Sequence, residues 1–297
     1  MKELKDIKNI LILGSGTLGL RIALASALNG YKVVIYDIKE EAFVQAKKIQ
    51  GNLIKILEKA GTISDQDAEK ALQNQTFTTD AKQAAANADL VSESVTEDLE
   101  IKKKVWKQFG ELCPEKTIFT TNTSSLLPSL YAEATGRPER FCALHFHDVF
   151  YANVVDIMPN PKTEPWIIDL LKAYGESIRQ TVVIMKRESP GYIFNAMLIS
   201  VLGAAGALVT FDVASIEDVD RSWMGNFKMP RGPFGIIDEI GLDTACHVIK
   251  PFKDEKSKRF AKLLDSYIQQ GKLGRKTGEG FYTYPNPRFQ DEDFIKG

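Results

Sequence analysis

Residues 10–37 read ILILGSGTLGLRIALASALNGYKVVIYD, and this stretch decides the fold. Residues 10–13 are a short apolar run that breaks at Gly14, as a buried strand does on meeting a turn. Leu18, Ile22, Ala25 and Leu28 then recur at helical spacing, and Gly30 stands where a C-cap is expected. Residues 33–36 are the next strand, closed by Asp37. Between strand and helix lies Gly14-Ser15-Gly16-Thr17-Leu18-Gly19, a GxGxxG motif. In that pattern the first glycine permits the tight turn, the second lets backbone approach a pyrophosphate, and the third lets helix pack on strand. The helix N-terminus, at Thr17 and Leu18, then offers N–H groups and partial positive charge to phosphates. Asp37 lies 18 residues past Gly19, placed to accept hydrogen bonds from adenine-ribose hydroxyls. A carboxylate there repels a 2′-phosphate, so the expected dinucleotide is NAD rather than NADP.

The same alternation continues outward. Residues 40–60 carry Phe43, Ala46, Leu53, Leu57 and Ala60 at helical spacing, and Ser64 with Asp65 and Asp67 behind it reads as an N-cap. Further strands are predicted at 76–78, 90–92, 117–120, 141–145, 154–157 and 182–185, most with helical stretches between them. Such alternation specifies a doubly wound, Rossmann-type parallel sheet with helices on both faces. After Met185 the pattern changes to Lys186-Arg187-Glu188-Ser189-Pro190-Gly191, a charged turn, and then to helices alone. The expected division is an NAD-binding α/β domain at 1–187 and an all-α substrate and dimerisation domain at 188–297.

Composition narrows the function. The 297 residues carry 38 Lys+Arg against 39 Asp+Glu, which speaks against a generally basic nucleic-acid binder. At about 150 residues per domain the length fits two domains. Cys113, Cys142 and Cys246 are odd in number and form no CxxC, so neither a zinc ribbon nor a disulfide framework is expected. The N-terminus does not fit a signal peptide, which makes a cytoplasmic location the default. Residues 193–209, IFNAMLISVLGAAGALV, fall short of the roughly 20 residues a membrane span needs. They read as a helix buried in the second domain or in a homodimer interface, with residues 203–207 small enough to admit another helix closely.

The three histidines narrow the search for chemistry. His145 and His147 sit in FCALHFHD at 141–148, and a period-two pair on a strand points both rings to one side. With Asp148 or Asp156 the pair could begin a metal site, but no further His or Cys cluster completes a set, so no metal is expected. His247 falls in a helical pattern and reads as surface or packing. Imidazole titrates near neutrality, which suits His145 to removing the proton of an alcohol while hydride leaves carbon. Asp156, eleven residues on at the next strand, is placed to orient that imidazole and stabilise its charged form. Residues 121–125, TNTSS, follow a strand end, where open α/β sheets bind ligands. No Tyr-x-x-x-Lys occurs in the chain, which argues against short-chain reductase chemistry.

The chain resembles the L-3-hydroxyacyl-CoA dehydrogenase family over nearly its whole length. The resemblance rests on ILGSGTLG at 12–19, ESVTEDLEIKKKVW at 93–106, TNTSSL at 121–126 and FCALHF at 141–146. It continues through SPGYIFNAML at 189–198, PRGPFGIIDEIGLD at 230–243 and KTGEGFYTY at 276–284. It implies that His145 is the catalytic base, that Ser124 hydrogen-bonds the substrate's 3-oxygen and that Asn195 helps position the substrate. Glu97, Lys102 and Asn122 match family positions near the cofactor. It also implies a place in fatty acid metabolism. Asp156 stands where the family usually has Glu, in a segment one residue shorter, and residues 147–151 replace the usual Phe-Asn-Pro run. CoA-using members tend to carry Ser and Lys where this chain has Leu53 and Ala60; Lys55 and Lys59 remain as candidate phosphate contacts. Three readings follow: a short-chain 3-hydroxyacyl-CoA dehydrogenase; the same chemistry on a non-CoA 3-hydroxy acid, diketo ester or carnitine-like substrate; or a non-catalytic NAD-binding relative. The intact Ser124, His145 and Asn195 set argues against the last.

Overall fold

The computed structural model describes residues 3–296. Contacts divide the chain into two compact units, one ending at Ile193 and the other beginning at Phe194.

The first unit is built on eight strands: β1 (Asn9–Leu13), β2 (Lys32–Tyr36), β3 (Gln75–Thr78), β4 (Leu90–Glu93), β5 (Ile118–Thr121), β6 (Phe141–Phe146), β7 (Val154–Pro159) and β8 (Thr181–Ile184). They form one sheet in the order β3-β2-β1-β4-β5-β6-β7-β8. Its helices are α1 (Thr17–Leu28), α2 (Glu41–Lys59), α3 (Asp65–Gln73), α4 (Ala81–Ala85), α5 (Leu99–Leu112) and α6 (Pro165–Ser177). The period-two alternation of β1 shows why the sheet is covered twice. Ile10 and Ile12 enter one hydrophobic core with Leu20, Leu57 and Tyr174, while Leu11 and Leu13 enter the opposite one with Trp106 and Phe109.

All neighbouring strands run parallel except β6 and β7, which are antiparallel. The doubly wound parallel sheet expected from sequence is present, and this one pair departs from it. Residues 147–153 hold no helix and are too few for a crossover, so the chain must turn back on itself. The helix ends follow local chemistry. Ser64 caps α3 by accepting from Asp67 N at 3.1 Å, and Asp98 caps α5 by accepting from Ile101 N at 2.9 Å. The apolar face of α2 stops short of the pattern's last member, since Ala60 is the C-cap and exposed.

Residues 188–193 are tied to this first unit. Glu188 accepts from Ser129 N at 2.6 Å, and the Tyr192 hydroxyl donates to Thr123 O at 2.6 Å.

The second unit holds α7 (Phe194–Thr210), α8 (Ile216–Phe227), α9 (Pro233–Ile240), α10 (Leu242–Ile249) and α11 (Glu255–Ile268) around Leu202, Phe234, Ile237, Phe260 and Leu264. Gly206 lets α7 meet α11 closely: a Cβ there would lie 2.3 Å from the Phe260 ring. Asp238 joins two stretches quoted above, accepting from Phe281 N at 2.8 Å and Tyr282 N at 2.9 Å. Among the described residues no helix is long and apolar enough to cross a membrane.

Candidate active site

The parallel strands β1, β4, β5 and β6 end on one edge of the sheet, where their following loops gather the polar residues. At β1 the Gly-rich turn is fixed by close contact. Gly14 has φ +104°, and a Cβ there would lie 2.6 Å from Ser94 O. Gly19 abuts Gly14 O, with a hypothetical Cβ at 2.3 Å. Gly16 differs: nothing lies within 4 Å of the place its Cβ would occupy, so bare backbone faces open space. Gly16 is also the N-cap of α1 and supplies no side chain to the amides of the first turn, where Thr17 and Leu18 stand. Asp37 accepts through Oδ2 from Ser15 N at 2.9 Å and Ser15 Oγ at 2.6 Å. The sequence presented Asp37 as a ribose acceptor only; in the fold it also pins the turn, with further acceptor capacity left on the carboxylate. An open glycine, unsatisfied helix-start amides and an anchored acid fit a dinucleotide.

Next to the turn, β4 ends in Glu93, which is fully buried. Lys102, from the second turn of α5, lies 2.6 Å from Glu93 and 3.2 Å from Glu97. Its side chain is 1% exposed, so Lys102 stands behind Glu97 instead of facing a ligand. Glu97 in turn receives Thr123 Oγ1 at 2.5 Å, Ser124 N at 3.1 Å, and Ser125 N and Oγ at 3.0 and 2.8 Å. Burial pushes its carboxyl up, but Thr123, the Lys102 charge and Ser125 more than offset this and hold it at about 2. The ionised Glu97 thereby fixes the loop after β5. Thr123 Oγ1 accepts from Leu126 N at 3.0 Å, which leaves the Ser124 hydroxyl outside that turn's bonding. Ser124 is exposed. Asn122 joins two strand ends, since its Oδ1 accepts from Phe146 N at 2.7 Å.

His145 is buried, near the end of β6, and pairs across the antiparallel ladder with Asp156 of β7. The shorter Asp side chain comes within ion-pair range, though not hydrogen-bond range, because the two residues stand directly opposite. His145 Nδ1 lies 3.6 Å from Asp156 Oδ2, an ion-pair separation longer than a hydrogen bond. The tight contact goes to His147, whose Nε2 is 2.9 Å from the same oxygen. Burial raises the Asp156 carboxyl, but the two histidines beside it outweigh this and hold the group at about 2. An ionised carboxylate only accepts, so His147 Nε2 carries the proton of that bond.

The turn after His147 is built by Asp148. Its Oδ1 accepts from Phe150 N and Tyr151 N at 3.0 and 3.1 Å, and its Oδ2 pairs with Arg21 of α1. This engagement removes Asp148 from the metal-ligand candidates.

Tyr192 was missed at the sequence level. Its ring stacks on His145, with centroids 4.3 Å apart and planes at 26°. Its hydroxyl bond to Thr123 O links the imidazole to the Glu97 loop. Only the Ser-Pro-Gly turn before it hinted at a fixed position. Asn195 lies in the first turn of α7, in the second unit.

Residues 9–189 match the family profile described as the 3-hydroxyacyl-CoA dehydrogenase NAD-binding domain, and residues 191–284 match the C-terminal domain of the same family. This chain belongs to the 3-hydroxyacyl-CoA dehydrogenase family. It is an NAD-dependent oxidoreductase of that family. Among its relatives is the mitochondrial hydroxyacyl-coenzyme A dehydrogenase of Sus scrofa, 32% identical over 94% of this chain and 91% of that protein. A probable 3-hydroxybutyryl-CoA dehydrogenase of Deinococcus radiodurans is 32% identical over 92% of this chain and 99% of that one. Of solved structures, a diketoreductase described as acting on dicarbonyl compounds superposes with a TM-score of 0.89. It is 39% identical, covering 94% of this chain and 99% of the other. The (S)-3-hydroxybutyryl-CoA dehydrogenase PaaH1 of Ralstonia eutropha gives 0.85 at 30% identity, over 94% and 100%.

Proposed function

We propose that this family member interconverts a 3-hydroxyacyl substrate and its 3-oxo form, with His145 as the general base. The observation that carries the reading is the buried pairing of His145 with an ionised Asp156 at 3.6 Å. NAD supplies the hydride acceptor. The carboxylate favours a proton on His145 Nδ1, which leaves the lone pair on Nε2 to take the hydroxyl proton. When Nε2 is protonated, the Asp156 charge stabilises the imidazolium. Tyr192 holds the ring plane by stacking. Ser124, exposed beside the Glu97-bonded loop, is assigned a hydrogen bond to the substrate's 3-oxygen, and Asn195 the positioning of the substrate.

The first substrate reading is a short-chain 3-hydroxyacyl-CoA, as the names of the dehydrogenase relatives suggest. A second reading, a non-CoA dicarbonyl or 3-hydroxy acid, is favoured by the 39% identity to the diketoreductase. Lys55 and Lys59 are both exposed, consistent with either a solvated helix face or a phosphate contact. NADH oxidation measured with acetoacetyl-CoA, acetoacetate and a 3,5-diketo ester separates the two. Turnover on the free acid or ester alone removes the CoA reading. Self-association through α7 is part of the proposal, because Phe194, Met197 and Leu208 are 51%, 57% and 42% exposed. Sedimentation at micromolar concentration tests it, and a monomer would refute it.

A further inference from the structure

We propose that His145, His147 and Asp156 also form a binding site for a divalent transition cation, typified by Zn²⁺, whose occupancy switches off the dehydrogenase. One nitrogen of each imidazole and a carboxylate oxygen of Asp156 lie within 4.8 Å of one another. The arrangement follows from the sheet. His145 stands on β6 and His147 directly follows its end, still held to the neighbouring strand by His147 N donating to Val154 O at 3.2 Å, and Asp156 is the cross-strand partner of His145. Two of the donors thus stand on adjacent, hydrogen-bonded strands and the third directly after one of them, a rigid support for a metal site.

The donor chemistry suits the ion. Two neutral imidazoles and one carboxylate, with a further position open, are a common ligand set for Zn²⁺. Ligand atoms about 2.0–2.1 Å from a tetrahedral Zn²⁺ stand roughly 3.3 Å apart. The separations here, 3.6 Å from His145 Nδ1 to Asp156 Oδ2 and 2.9 Å from His147 Nε2 to the same oxygen, bracket that value. A second observation points to a ligand independently. His145 Nδ1 is a buried nitrogen with no hydrogen-bond partner, on a residue only 5% exposed. Such an atom has lost water without gaining a hydrogen bond in exchange. Asp156 supplies the carboxylate oxygen that completes the two-imidazole, one-carboxylate set.

Binding has a defined cost in protons. His147 must move its proton from Nε2 to Nδ1 before Nε2 can donate a lone pair to the metal. His145 must present the lone pair of Nδ1, which places its proton on Nε2. That tautomer cannot accept a proton from the substrate hydroxyl. The cation therefore blocks the base by fixing the wrong tautomer, while the Gly14–Gly19 turn is untouched. The inhibitory half of this inference rests on His145 being the base; the binding half does not.

The test uses the full chain, stripped with EDTA and titrated with Zn²⁺ against a chromophoric chelator, with Co²⁺ as a spectroscopic substitute. The expected result is one Zn²⁺ per chain at micromolar affinity or better, weakened at least 100-fold in His147→Phe. His147→Gln, which keeps a polar group towards Asp156, guards against a folding defect and should weaken binding at least tenfold. His247→Ala, at an exposed helical position, should bind as wild type. Stoichiometric Zn²⁺ should abolish at least nine-tenths of turnover, restored by EDTA, with NADH affinity unchanged within twofold. Absence of binding below about 100 µM, or wild-type affinity in both His147 variants, overturns the site. Binding that is lost in the variants but leaves turnover intact upholds the site and overturns His145 as the base.

Discussion

Asp156→Asn isolates the charge on which the chemistry depends. The substitution keeps the size and cross-strand position of the side chain and removes one unit of charge from a residue 2% exposed. That charge lies 3.6 Å from His145 Nδ1. At an effective dielectric of about 20, a unit charge at this separation is worth about 4–5 kcal/mol to the imidazolium. At about 1.4 kcal/mol per tenfold in rate this corresponds to ~10³-fold. The amide dipole of asparagine retains part of it, so the expected fall in kcat is about 10²–10³-fold. The assay is steady-state NADH oxidation with whichever 3-oxo substrate the wild type accepts. NADH affinity by fluorescence titration should change less than twofold, because Asp37 and the Gly14–Gly19 turn belong to another strand end. A variant that is folded, binds NADH and turns over within threefold of wild type would refute the role given to the carboxylate.

The remaining predictions concern the scaffold. Lys102→Met leaves Glu93 buried beside an uncharged neighbour and should cost about 3–5 kcal/mol in urea unfolding; the double variant Glu93→Gln/Lys102→Met should recover most of it. Equal cost in both would show that the pair is not coupled. Gly14→Ala forces a side chain into positive φ against Ser94 O, and should cost about 2–5 kcal/mol and weaken NADH binding more than tenfold. A variant with wild-type NADH affinity would contradict this account of the turn. Asp156 also predicts acid behaviour. Its folded value of about 2 lies below the unfolded value of ~3.9, so it adds stability above pH ~4 that is lost as pH falls towards 2. The term is on the order of 2 kcal/mol, and Asp156→Asn should flatten the loss of stability across that window; an unchanged acid slope would count against it.

Much of the framework was legible in order along the chain. The turn at Gly14–Gly19, α1, β2 and Asp37 are local: periodicity, glycine and one acid specify them within thirty residues. The Ser64 cap and the position of His145 on a strand were equally local. What the sequence left open depends on pairing across distance. The β6–β7 reversal sets His145 opposite Asp156, and register decides that, not composition. The preference of Asp156 for His147, the bond between Asp148 and Arg21, and Tyr192 stacked on the imidazole join residues up to 127 positions apart. Lys102 shows the same limit. Its place in the chain marked it as part of the site, while its burial between Glu93 and Glu97 sets it behind the Glu97 loop. Residue identity and spacing determined which groups this protein has for its chemistry. Only strand register and burial decided which of them face each other, because hydrogen-bond geometry and charge interaction depend on ångströms of separation that the order of residues does not encode.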